Sequence, residues 1–174
     1  MRDVMRGPYL MAWIITLSVL ACACGQISAP FKAESSTPVS EKANVPELGE
    51  LMMLQQVRHT KLWLAGQAEN WALASYELEE LDEGFDAIVE FHPTHKGSPV
   101  DPKDAIPRMI TQPLADLKDA VTSRDGEAFA QSYDALTTAC NNCHQATNFG
   151  FNRLQRPETN PYPDQIFSPP PPPQ

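Results

Sequence analysis

The sequence predicts an all-α fold, an antiparallel four-helix bundle, on three observations. No stretch between residues 47 and 150 alternates apolar with polar residues or concentrates β-branched ones, so strands have no support. Four segments in that range repeat apolar residues at intervals of three and four, the spacing of one helix face. The connections between them are mostly short, which favours antiparallel neighbours.

The first segment begins after Pro46 and runs to Gly66. Leu48, Leu51, Met52, Gln55, His59, Leu62 and Trp63 share its stripe, and Gly66 is a stop signal. The second runs from about Glu69 to Phe91, with Trp71, Leu78, Leu81, Phe85, Ile88 and Val89 on one face. It ends at His92-Pro93, because a residue before proline is pushed out of the helical region. A loop from His92 to Pro102 follows, holding Pro93, Gly97 and Pro99. The third segment covers about Asp104 to Ser123. Pro107 suits a first turn, whereas Pro113 should break or kink the helix. The fourth opens at Asp125-Gly126 with Asp125 as cap, and carries Phe129, Tyr133, Leu136, Thr137 and Cys140. In an up-down-up-down order its end lies near the early turns of the first helix.

The chain has 174 residues, enough for one domain with extended ends. Residues 1–23 read as an export signal. Arg2 and Arg6 precede an apolar run from Leu10 to Ala21, which is too short to span about 30 Å of hydrocarbon. Ala21-x-Ala23 fits ordinary signal-peptidase cleavage. The same stretch also resembles the lipobox of bacterial lipoproteins, with Cys22 or Cys24 as the lipidated residue, and this second reading is preferred. The absence of Asp after the Cys points to the outer membrane, so the expected location is the periplasm, with a lipid tether. Residues 24–46 read as a disordered tether rich in Ser, Pro, Lys and Glu. Eight of the 17 prolines lie between Pro157 and Pro173, so residues 155–174 read as a Pro-rich disordered tail and the folded part as 47–154. A net charge of −9 excludes a nucleic-acid binder, since nothing neutralises phosphates.

Residues 140–144 read Cys140-Asn141-Asn142-Cys143-His144. C-x-x-C-H is the spacing of covalent haem attachment. On a helix, positions i, i+3 and i+4 share a face, so Cys140 and Cys143 can reach the two vinyl groups of one porphyrin while His144 reaches the iron as proximal ligand. A redox disulfide motif would follow a strand, and none precedes it. A structural zinc site would want four ligands, and no second Cys pair follows the export segment. The expectation is one covalently attached haem c in an exported, mono-haem electron carrier. Two alternatives stand beside it. One is a five-coordinate haem protein that binds nitric oxide or carbon monoxide. The other is a haem-free envelope bundle with a Cys140–Cys143 disulfide. No nucleophile–base–orienter set is present, so an enzyme is not expected.

A four-helix frame with C-x-x-C-H on its last helix resembles the class II cytochromes c, the cytochrome c′ group, over roughly residues 47–150. The resemblance implies Cys140 and Cys143 as attachment residues, His144 as proximal ligand, and a first-helix residue on the distal side. It also implies a homodimer through the first two helices. The chain departs from that group in its long extension past the motif, its Pro-rich second loop, and the lack of an early Arg or Lys after His144. The segments RHTKLWLAGQ (58–67) and CHQATNFGF (143–151) also look like those of an uncharacterised exported cytochrome c family, which brings no established function.

For the distal ligand, Met52, Met53 and His59 are the candidates. Met52 and His59 are seven residues apart on the inward stripe, hence about 10 Å along the axis, so both cannot bind one iron. Met52 is preferred, since it lies in the early turns opposite the end of the fourth helix. His59 ranks behind it, as does an iron with no distal protein ligand. Arg58 and Lys61 are placed near the haem-facing stripe, where a propionate could pair with them. His92 and His95 form at most a weak surface metal site. Trp63, Trp71, Phe85, Phe129 and Tyr133 are expected in the core, and Phe149 and Phe151 over the haem edge. The acidic run Glu77 to Glu83 is read as a solvated face that could steer a basic redox partner.

Overall fold

The computed structural model describes residues 45–172. The export segment, Cys22, Cys24 and nearly all of the tether lie outside the described residues. Five helices and no strand occur among those described: α1 (Leu48–Gln67), α2 (Trp71–Phe91), α3 (Pro102–Met109), α4 (Thr111–Ser123) and α5 (Gly126–Ala146). The fold is all-helical and compatible with a helical bundle. None of these helices is long and apolar enough to cross a membrane.

The helix starts follow from local chemistry. The Glu50 side chain accepts from the Glu47 N–H at 3.1 Å, ahead of α1. Asn70 caps α2 by accepting from Leu73 N–H at 3.2 Å. Asp125 caps α5 by accepting from both Glu127 and Ala128 at 3.0 Å. The ends are less ordinary. Glu69, Arg124 and Asn148 adopt positive φ values of 55°, 56° and 68° just past α1, α4 and α5. Glycine usually takes that place, because a Cβ strains the left-handed conformation. Here the strain is offset by hydrogen bonds that satisfy the last carbonyls: Asn70 N–H to Ala65 O at 2.9 Å, Asp125 N–H to Ala120 O at 3.2 Å and Phe149 N–H to His144 O at 2.7 Å.

The third expected segment is two helices rather than one. Proline has no N–H for the carbonyl four residues back, and its ring crowds that carbonyl. For Pro113 that residue is Met109, where α3 ends. Ile110 sits between α3 and α4 at φ −104°, ψ −38°, so the chain bends without leaving helical space. Ile110 N–H still reaches Ile106 O at 2.9 Å, and Leu114 N–H reaches Ile110 O at 3.0 Å. The helix also starts two residues before the expected Asp104, with Pro102 in its first turn and Pro107 well inside.

The core is one continuous cluster. Leu62, Ala65, Ala74, Ile88, Ala105, Leu117, Phe129, Tyr133 and Leu136 are fully buried at its centre. Two glycines set how closely helices approach. A Cβ on Gly66 of α1 would collide with the ring of Phe129 in α5, and one on Gly84 of α2 would collide with Gln55 and Arg58 of α1. In the space left at Gly84, the Gln55 amide donates to Leu81 O at 2.7 Å, and Arg58 pairs with Glu80 at 3.0 Å.

Residues 155–172 form no helix or strand but stay on the core. The Arg156 guanidinium lies 4.4 Å from the Trp63 ring centre and donates to both Asp134 oxygens and to Ala130 O. Lys61 Nζ lies 5.1 Å from the Tyr162 ring, Phe167 is buried, and Asn70 donates to Ser168 O at 3.3 Å.

Candidate functional site

The C-x-x-C-H motif occupies the last two turns of α5. Cys140 and Cys143 are both buried and neither is in a disulfide. Burial pushes the Cys140 thiol up to about 12, with Cys143 beside it a smaller cause, and burial raises the Cys143 thiol as well. Both are therefore neutral thiols near pH 7, unlike the thiolates of redox-active pairs or zinc sites.

His144 is oriented by the turn that follows it. Thr147 caps α5, its Oγ1 donating to Cys143 O at 2.8 Å. Asn148 in the left-handed region then reverses the chain. Residues 149–154 come back along α5 and are held there twice. His144 Nδ1 lies 2.7 Å from Asn152 O. Asn141 donates to Leu154 O at 3.0 Å and accepts from Leu154 N–H at 2.8 Å. A carbonyl only accepts, so the proton of neutral His144 sits on Nδ1 and Nε2 carries a lone pair. A backbone carbonyl on one imidazole nitrogen, with the other left open, is the usual arrangement of a metal-ligating histidine.

His144 is also part of the wall of a cavity of about 330 Å³. Its walls are Leu48, Met52 and Gln56 of α1, Ala105 and Ile106 of α3, Cys143 and His144 of α5, and His95 and Phe149 of the neighbouring loops. An inner lobe of about 40 Å³ adjoins it, sharing Met52, Cys143 and His144 and adding Cys140 and Phe85. The volume is at the lower end of small-molecule and cofactor sites, and the lining is mostly apolar with a few polar atoms, as such sites are. Among the described residues no three His, Cys, Asp or Glu side chains converge on one point. The donors are spread around a cavity instead. That spacing suits a large prosthetic group supplying its own inner ligands better than a bare ion. A groove of about 390 Å³ between α2 and α4 is lined by Glu79, Asp82, Lys118 and apolar side chains, and holds no thiol, thioether or imidazole.

The sequence-predicted residues sort clearly. Cys140, Cys143, His144 and Met52 come together, and exposed Met53 lies at the rim. His59 stands apart. Its Nδ1 lies 2.9 Å from Tyr133 OH and its Nε2 2.9 Å from Thr137 Oγ1, in the core between α1 and α5. Burial lowers its pKa to about 4, so it is neutral. Arg58 and Lys61 do not line the cavity. Glu77 is buried rather than part of a solvated acidic face, and burial raises its carboxyl against the pull of Lys61. Phe149 lines the cavity, whereas Phe151 is 83% exposed. Sequence reading assigned no role to Asn141 or Asn152 and put His95 on a surface. The one prior signal for Asn141 was its place inside the motif, next to Cys140, which is buried.

Comparison with protein-family models, curated proteins and solved structures gave no match.

Proposed function

We propose that this protein is an exported mono-haem c-type cytochrome that carries electrons. The proposal includes an antiparallel four-helix bundle in which α3 and α4 form one kinked third helix, akin to the class II cytochromes c. The observation that carries it is that Cys143, His144 and Met52 line both of two adjoining apolar cavities and Cys140 lines the inner one.

The residues fit the group in three respects. Cys140 and Cys143 would each add S–H across one vinyl C=C, giving two thioethers with no atom lost, and both stand as neutral thiols at the cavity wall. His144 offers Nε2 as proximal ligand, because Asn152 holds the Nδ1 proton. Met52 offers a thioether sulfur from α1, a donor that raises potential relative to a second histidine. Haem c supplies a reversible Fe(II)/Fe(III) couple when bound. Leu48, Ile106 and Phe149 would exclude water and so help set its potential. The same proposal sets the protein in the periplasm, held at the outer membrane by a lipid on Cys22 or Cys24 and serving redox partner proteins.

The test is an optical spectrum and intact mass after production in a host with c-type maturation. The expected result is a Soret band and a mass gain of one haem, both lost when Cys140 and Cys143 become Ala. A bare-chain mass without a Soret band overturns the reading and leaves a haem-free bundle. Sharp reduced bands untouched by carbon monoxide mean electron transfer through a six-coordinate iron. Broad bands that shift with carbon monoxide mean gas binding instead.

A further inference from the structure

The four histidines divide by what their ring nitrogens touch. His59 has both engaged. His92 donates from Nε2 to Pro46 O at 2.7 Å. His144 donates from Nδ1 and keeps Nε2. His95 alone has neither ring nitrogen engaged among the described residues, and it lines the same cavity as His144 and Met52.

Its position is built rather than incidental. The α2–α3 loop turns at Gly97, with φ +89°, and Ser98 N–H closes onto His95 O at 3.1 Å. The His95 N–H reaches Asp101 Oδ1 at 3.4 Å. The two residues that follow the α5 cap then fix this loop from outside. Asn148 donates to Gly97 O at 3.1 Å, and the Phe149 ring lies 5.5 Å from the His95 imidazole, centre to centre. The turn that orients His144 therefore also places His95. Apart from the motif itself, the metal-affine atoms on this wall are the Met52 and Met53 sulfurs and the His95 nitrogens, and Met53 is 59% exposed at the rim.

We propose that His95 is, beside Met52, a further protein donor to the group that Cys140, Cys143 and His144 would hold, the two residues competing to bind it. The proposal rests on the cytochrome reading above. A thioether is a soft donor and an imidazole a harder one, so the two differ in which iron oxidation state they favour.

The experiment compares haem-loaded Met52→Leu with Met52→Leu/His95→Gln, both close to the native volumes. Far-UV circular dichroism confirms that each has folded. Electron paramagnetic resonance of the oxidised forms and carbon monoxide titration of the reduced forms are then recorded. The expected result is a low-spin, six-coordinate oxidised Met52→Leu protein with a lower reduction potential than the native one, and a high-spin double variant that takes up carbon monoxide. If Met52→Leu is already high-spin and identical to the double variant, His95 does not reach the iron and the inference fails while the cytochrome reading stands. A double variant that stays low-spin, or a native protein that is five-coordinate, overturns it equally. Absence of covalent haem overturns both readings together.

Discussion

His59 and His144 sit on two helices of one core, and their surroundings are opposite. His59 is enclosed between α1 and α5, with Tyr133 on one nitrogen and Thr137 on the other. One neutral arrangement satisfies every group. Nε2–H donates to Thr137, Thr137 donates to Tyr133 O at 2.8 Å, and the single Tyr133 O–H proton is shared between Nδ1 at 2.9 Å and His59 O at 3.0 Å. Nothing is left to bind a ligand. His144 spends one nitrogen on Asn152 O, has no hydrogen-bond partner on the other among the described residues, and lines a cavity. The number of ring nitrogens already engaged therefore separates a histidine that holds the fold from one that can hold a metal, and residue type alone does not.

The largest expected effect lies on the structural side. Tyr133 is fully buried and stacks within 4.8 Å of Trp63 and 4.5 Å of His59, centre to centre. Tyr133→Ala should cost about 4 kcal/mol, from lost burial and the cavity left behind. Tyr133→Phe should cost about 1 to 2 kcal/mol, the hydroxyl's share. Urea midpoints of the two variants separate packing from hydrogen bonding, and equal losses would mean the packing contributes nothing.

Acid comes next. His59 has a folded pKa of about 4 against 6.5 when unfolded, because burial disfavours the charged ring. Between those values the unfolded chain takes up a proton that the folded chain refuses. Stability should thus be intact above pH 6.5 and fall by about 3 kcal/mol on the way to pH 4. His59→Gln should remove that part of the slope, and an unchanged slope would assign it to the carboxylates.

The site side should respond locally. Asn141→Ala removes both bonds to Leu154, each worth about 1 kcal/mol. Amide exchange at Leu154 should then accelerate about tenfold or more, while amides around His59 keep their protection. Parallel acceleration in both places would show that the two regions open as one unit. The smallest expected effect is a gain. Glu69 is exposed and left-handed, so Glu69→Gly should raise stability by about 0.5 to 1 kcal/mol in thermal unfolding. No gain would mean that glycine's extra freedom in the unfolded chain offsets the relieved strain.

How much of this could be read beforehand depended on how local the cause was. The apolar stripes placed α1 and α2 to within two residues at each end, and Asp125 announced the start of α5, because spacing and capping act within a few residues. Pro113 announced a break whose site, Met109 and Ile110, follows from the missing N–H. The motif named Cys140, Cys143 and His144, and helix register singled out Met52. The same register kept His59 as a lower-ranked candidate on the same inward stripe, since a stripe shows which side faces inward and not which partners wait there. His95 was invisible for a similar reason. Its loop has no period of its own and is positioned by Asn148 and Phe149, more than fifty residues away. Phe167 was hidden by proline-rich surroundings that resemble a solvated tail.

The Asn70–Ser168 hydrogen bond joins residues 98 apart in the chain, and Arg156 and Phe167 close over the first helices. Time of synthesis therefore enters the fold. When α1 and α2 leave a ribosome, the side chains that finish their surface do not yet exist. Trp63 stays open on one face until Arg156 has followed, and the place filled by Phe167 stays empty longer still. A chain that emerges in this order keeps an unfinished face until nearly the whole of it is out.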